Sequence, residues 1–392
     1  MAKAPASQLF EVKGNERTRS NYIVELAQAC LEDRNEFGWD PNTQLAALEQ
    51  CLMNAKIFAK VGAKFEGAKI QIDVEEKWTL IPAPFFQSSG STRKIGLIMF
   101  ETNFLGQGLT LALGGNSSNK GSGFFGFFTN PALLGTRYFL SLSASKDSTV
   151  YESIAKDEDV VDSFLEKSYG GNVSFGYRFS WLNISANLGR TVRDYDQHEA
   201  YKTPAAYAQN RTGITLDYDR RDYKLYFSDG LFSRVRYSRS FQESDDHSHI
   251  EQWEGSVNYQ FAAFEDHAIN LMGSAMNMND IRKTDAERVG STKGFRGIET
   301  KTAWAKSYFV QTAEYQVPLK RFEKGTLTSA VFYDHGHMET FALDLNEIDY
   351  NAAGVGVYFY LSRIAIPGFG LEWGFNSNYQ KNFVNFSIGM SY

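Results

Sequence analysis

Arg296 stands in the stretch Gly294-Phe295-Arg296-Gly297-Ile298, one guanidinium between two glycines in an otherwise polar segment. The chemistry open to it is electrostatic. A guanidinium removed from water needs a carboxylate to offset its desolvation, and it can bind one through two parallel N–H groups as lysine cannot. Gly294 and Gly297 let the backbone turn tightly on either side. Catalytic signatures are missing: no Gly-x-Ser-x-Gly elbow, Walker loop, Cys-x-x-Cys pair or His-Glu-x-x-His occurs, so neither enzyme activity nor a cofactor is expected. Asp334-His335-Gly336-His337 and Asp245-Asp246-His247-Ser248-His249 carry metal-ligand types, but they fall at strand ends or in loops where such residues are ordinary, and no metal is expected.

The chain that positions Arg296 has 392 residues, 15% of them aromatic, only 8 prolines and a net charge of -6. Its mean hydropathy is -0.37. Many aromatics with low mean hydropathy fit a transmembrane barrel, whose strands alternate lipid-facing and lumen-facing residues. No window is apolar enough for a spanning helix. The acidic balance gives no support for a nucleic-acid partner.

From Trp78 onward the sequence runs in alternating segments. The last sets Val384, Phe386, Ile388, Met390 and Tyr392 against Asn385, Ser387, Gly389 and Ser391. Counting such segments predicts about sixteen antiparallel strands over 78–392, among them 136–150, 166–179, 325–335, 352–362 and 369–376. Short turns alternate with long polar runs such as 148–162, 280–305 and 339–351, as in barrels with short periplasmic turns and long outer loops. Arg296 falls on the longest run, which we read as a loop folded into the lumen, its arginine paired with carboxylates on the strands that follow.

Residues 1–8 lack the apolar core of a signal peptide and are expected to be a disordered N-terminus or tag remnant. Residues 9–77 read as strand, helix, helix, strand, strand. Ser20 can cap the first helix, which carries Ile23, Leu26, Ala27, Cys30 and Leu31. Asp40-Pro41 opens the second, with Leu45, Leu48, Cys51, Leu52 and Ala55. Cys30 and Cys51 lie on the two apolar stripes, either as a disulfide or as two buried thiols.

Phe10 to Asn15 (FEVKGN), Cys51 to Val61 (CLMNAKIFAKV) and Ile70 to Trp78 (IQIDVEEKW), in that order, resemble a POTRA domain, the periplasmic unit in front of BamA-type barrels. Phe295-Arg296-Gly297 resembles the sixth-loop motif of the wider superfamily of BamA, TamA, the TpsB transporters and patatin-linked barrels, with Ile298 where Phe or Tyr is usual. Thr312-Ala313-Glu314-Tyr315 and Val331 to Gly336 resemble the next family strands, and the resemblance implies that Glu314 and Asp334 hold Arg296. Asn103 to Gly108 (NFLGQG) is similar to an early family turn. A weak seam between the first and last barrel strands, carrying Pro82, Pro84, Gly389 and Tyr392, would let the barrel open sideways. The implied function is outer-membrane protein assembly, insertion or translocation, with the POTRA domain in the periplasm. The alternative is a passive anchor or a secretion pore for a partner or effector. The expected partners are outer-membrane lipid, an unfolded client polypeptide and periplasmic accessory proteins or chaperones.

Overall fold

The computed structural model describes residues 9–34, 40–89, 92–154, 160–198, 203–242, 249–264, 266–279, 281, 283–290, 293–298, 303–341, 345–364, 368–377 and 380–388. Its N-terminal unit comprises β1 (Phe10–Lys13), α1 (Ser20–Arg34), α2 (Pro41–Met53), β2 (Phe58–Glu66) and β3 (Lys69–Glu76). The sheet order is β1-β3-β2, with β1 parallel to β3 and β2 antiparallel to it. Asp40 starts α2: its carboxylate accepts from the backbone N–H groups of Asn42 and Thr43, and Pro41 fills the first helical turn, where a missing N–H costs nothing. Ile23, Ala27, Leu48 and Leu52 pack with Phe58 and Ile72 into a small core. Cys30 and Cys51 face each other across the helix pair and are disulfide-bonded, their Cα atoms 5.9 Å apart.

The remaining chain is an antiparallel closed barrel. Its long strands are β4 (Leu80–Ser89), β5 (Thr92–Phe104), β6 (Leu109–Ser118), β7 (Gly121–Asn130), β8 (Tyr138–Ile154), β9 (Val160–Phe179), β10 (Leu182–Gln197) and β11 (Tyr207–Tyr223). They continue through β12 (Ser228–Gln242), β13 (Ile250–Ala263), β14 (His267–Met278), β16 (Ala303–Phe322), β17 (Gly325–Phe341), β18 (Leu345–Leu361), β19 (Gly368–Asn376) and β20 (Lys381–Ile388), which closes onto β4. A three-residue strand, β15 (Glu287–Val289), lies in the long loop and pairs with the start of β16. The barrel sheet thus has seventeen strands among the described residues, sixteen of them long. Among the described residues no helix is long and apolar enough to cross a membrane.

The period of two sorts side chains between the walls. On β20, Val384 and Phe386 are exposed outward, and on β18 Val355 and Val357 do the same while Tyr350, Tyr358 and Tyr360 are buried inside. Several strands run further than the sequence indicates. β8 reaches Ile154 and β9 begins at Val160, and β17 reaches Phe341 with β18 from Leu345, so most of 148–162 and 339–351 is strand rather than loop. Polar residues on both faces erase the apolar period there, yet the ladder bonds continue from one strand to the next.

The N-terminal unit docks on the barrel end nearest it, the proximal end. Arg19 N donates to Gly106 O at 2.9 Å, Asn103 Nδ2 to Thr18 Oγ1 at 2.8 Å, and Tyr223 N to Asn54 Oδ1 at 2.8 Å. Arg137 pairs with Asp33 at 2.7 Å. The turn Asn103–Gly108 is shaped for this contact: Gly106 has φ +69°, and a Cβ there would stand 2.2 Å from Arg17 O.

Candidate functional site

Arg296 is buried inside the barrel, 6% exposed, among three carboxylates. Nη2 lies 3.2 Å from Glu314 Oε2, Nη1 3.4 Å from Asp334 Oδ1 and Nε 3.4 Å from Glu372 Oε2. Its guanidinium carbon sits 4.0 Å from the centre of the Phe332 ring. The acids come from β16, β17 and β19, each on the lumenal register of its strand. Hydroxyl donors also serve these buried carboxyl groups: Thr312 Oγ1 donates to Asp334 Oδ1 at 2.8 Å, and Tyr358 OH to Glu372 Oε1 at 3.0 Å. Tyr350 OH holds the loop backbone by donating to Arg296 O at 2.6 Å.

The residues around Arg296 fix its approach. Gly297 has φ +80°, and a Cβ there would lie 2.4 Å from Phe383 Cδ1 on β20, so only glycine lets the loop come this close to the last strand. Phe295 is fully buried, edge-on to Tyr308 and Tyr350 at 5.5 Å and 5.1 Å. Ile298 is buried in the same cluster with Val289, Val310 and Met338. An aliphatic side chain therefore fills the position where the resemblance to the family motif leads one to expect an aromatic.

The loop is also tied elsewhere. Lys293 Nζ lies 2.9 Å from Glu254 on β13 and 3.4 Å from Glu287. Arg288 binds Glu166 on β9 with both terminal nitrogens, at 2.6 Å and 3.2 Å, its guanidinium carbon 3.7 Å and 5.1 Å from the Tyr151 and Trp304 ring centres. Between β9 and β17 stand six long strands one way and eight the other, so Arg288 and Arg296 grip nearly opposite walls. The strap crosses the distal end, away from the N-terminal unit.

The geometry brings together Gly294, Phe295, Arg296, Gly297, Glu314 and Asp334. It adds Glu372, Arg288, Glu166, Lys293 and Glu254, which the sequence reading does not name. Glu372 had a signal: flanked by Leu371 and Trp373 on a lipid-facing register, a lone acid there must face the lumen. Pro82 and Pro84 lie on β4. Gly389 and Tyr392 lie outside the described residues, as do residues 1–8 and Asp245 to Ser248. His335 and His337 point away from Asp334, to the outer wall, where Nδ1 of each is 2.9 Å from an oxygen of Asn351 and Asp349 respectively.

The pattern of the Omp85 superfamily domain matches residues 103–391, which takes in the loop and every acid around Arg296. The chain belongs to the Omp85 superfamily. Its barrel is similar in fold to BamA from Haemophilus ducreyi lacking POTRA domains 1–3, at TM-score 0.58 and 13% identity over 97% of this chain and 84% of that one. CdiB from Escherichia coli is similar at TM-score 0.65 and 10% identity, covering 97% and 75%. CdiB from Acinetobacter baumannii is similar at 0.60 and 11%, covering 98% and 73%. No curated protein matches the chain. As an Omp85 barrel it is an outer-membrane protein, and the small α+β unit before the barrel is POTRA-like.

Proposed function

We propose that this Omp85 protein receives an unfolded polypeptide through its POTRA-like unit, in the periplasm, and delivers it into or across the outer membrane by way of a lateral seam between β4 and β20. The observation that carries the reading is where the loop is bolted. Gly297 abuts Phe383 on β20, and Arg296 binds Glu372 on β19, so the strap rests against one border strand of the seam and against that strand's neighbour.

The seam is also short of backbone donors. Thr102 N on β5 donates to Thr79 O, so odd-numbered residues at the start of β4 direct their polar groups to β5 and even-numbered ones direct theirs to β20. Pro82 and Pro84 are even-numbered, and each removes a donor from the β4–β20 ladder. A central pore is disfavoured in this conformation. The strap crosses the distal end, and at the proximal end the β11–β12 turn folds inward, with Tyr226 6.0 Å from the Tyr360 ring and packed with Ala330 and Tyr358. A client strand would add to an exposed edge, either of the POTRA-like sheet or of the opened seam, by β-augmentation.

The test is insertion of an unfolded barrel client into liposomes, with and without an engineered disulfide between β4 and β20 in a Cys30→Ala/Cys51→Ala background. The free form should accelerate insertion and the locked form should not, with recovery on reduction. Undiminished activity in the locked form excludes the seam. No acceleration over empty liposomes excludes the assembly reading.

A further inference from the structure

Three bulky apolar residues sit where glycine or asparagine would be expected. Leu105, Leu134 and Phe264 adopt φ of +59°, +54° and +51°, in the left-handed region that side chains disfavour. They occupy the tips of three proximal turns, between β5 and β6, β7 and β8, and β13 and β14. Leu105 is 58% exposed, Leu134 92% and Phe264 82%. Each position therefore carries a backbone penalty and a hydration penalty together, and a polar residue tolerant of positive φ would remove both.

Their neighbours face the lipid. The Phe264 ring stands edge-on to His267 at 6.2 Å, and His267 to Tyr315 at 5.5 Å. His267 shares its face of β14 with Leu271, and Tyr315 shares its face of β16 with Phe309, both exposed on the outer wall. Leu134 precedes Tyr138, which stacks on Phe175 at 5.5 Å on that same wall. Cations stand at the same rim. Arg220 lies 4.6 Å over the Trp181 ring and shares its strand face with Ile214 and Leu216, and Lys320 lies 5.2 Å from the Phe322 ring.

Apolar tips continuous with a lipid-facing wall, beside aromatic–cation pairs, match the zone where acyl chains give way to anionic headgroups. We infer that Leu105, Leu134 and Phe264 are anchors that insert into the phospholipid leaflet on the side of the POTRA-like unit, with Arg220 and Lys320 meeting its phosphates. The first two turns also seat that unit, through Gly106 and through Arg137 with Asp33. Lipid contact at the tips thereby sets the height of the POTRA-like unit above the membrane. The inference needs only a membrane barrel and stands apart from the client and the seam.

The test places single cysteines at 105, 134 and 264, labelled with an environment-sensitive fluorophore while Cys30 and Cys51 remain bonded. The probes are vesicles of phosphatidylethanolamine and phosphatidylglycerol, with and without lipids carrying a shallow spin label. All three labels should emit as in an apolar medium and be quenched by the spin-labelled lipid, while a label at Gln380, at the opposite end, should not. Water-like emission overturns the inference. So does apolar emission without lipid quenching, which would mean that protein covers the tips. Independently, the triple variant Leu105→Asn/Leu134→Asn/Phe264→Asn should fold in detergent as well as wild type but enter phosphatidylglycerol vesicles about tenfold more slowly. Wild-type entry would refute the anchoring.

Discussion

Replacing Arg296 by alanine removes the cation that pairs with Glu314, Asp334 and Glu372, all at most 5% exposed. Breaking a buried ion pair by deleting one partner costs about 3–5 kcal/mol, because the surviving charge stays desolvated. Here three carboxylates survive, although the hydroxyls of Thr312 and Tyr358 already offset part of the cost. The lost contact over Phe332 adds up to about 2 kcal/mol. The barrel ladders do not depend on Arg296, so the loss falls on seating of the loop. About 4 kcal/mol lowers the seated-to-released ratio roughly a thousandfold. The assay is trypsin cleavage at Lys293, which is held by Glu254 and Glu287 while the loop is seated. The expected outcome is rapid cleavage in Arg296→Ala, intermediate cleavage in Arg296→Lys, which keeps charge without the fork, and partial recovery in Arg296→Ala/Glu314→Gln/Glu372→Gln. Wild-type protease resistance, melting and activity in Arg296→Ala would refute the reasoning.

Arg288→Ala, or Glu166→Gln, should free the loop from β9 while Arg296 still holds, raising ion conductance in planar bilayers; unchanged conductance would show that this contact does not close the distal end. Lys77, buried at the docked face 4.7 Å from the Tyr223 ring, is pushed down to about 8 by burial and then by Lys56. Because its folded value lies below the unfolded one, the unfolded state binds more protons between about pH 8 and the usual lysine value near 10.4, so stability rises with pH across that window and the penalty is complete below it. Lys77→Met should therefore stabilise the docked unit at pH 7 and flatten its pH dependence, read by hydrogen exchange. Reducing Cys30–Cys51, which closes a span of 21 residues, should destabilise the POTRA-like unit by about 3 kcal/mol, read as a lower melting transition of that unit alone.

Strands whose outer face is apolar were legible because the period of two is a direct image of lipid on one side and lumen on the other. Val384 and Phe386 on β20, and Ile184 and Leu188 on β10, are of this kind. The ends of β8, β9, β17 and β18 were not legible, since above the lipid nothing demands an apolar face and the ladder bonds leave no mark in side-chain types. The family motif supplied Glu314 and Asp334 but not Glu372, whose lumenal register could have been read from its neighbours. Arg288 had no local signal at all: its partners Glu166 and Tyr151 lie more than a hundred residues earlier, and only barrel closure brings them near.

The carboxylates around Arg296 also impose an order on biogenesis. Glu372 belongs to the next-to-last strand, and Phe383, against which Gly297 rests, to the last. A chain whose C-terminal strands have not yet paired cannot complete the cradle, so Arg296 stays unseated until the sheet is almost finished, even where Arg288 and Lys293 already hold the loop to β9 and β13. Seating of Arg296 then acts as a checkpoint on maturation: it latches when four late strands, β16, β17, β19 and β20, stand in register, and a barrel stalled short of that point leaves Arg296 without its full cradle.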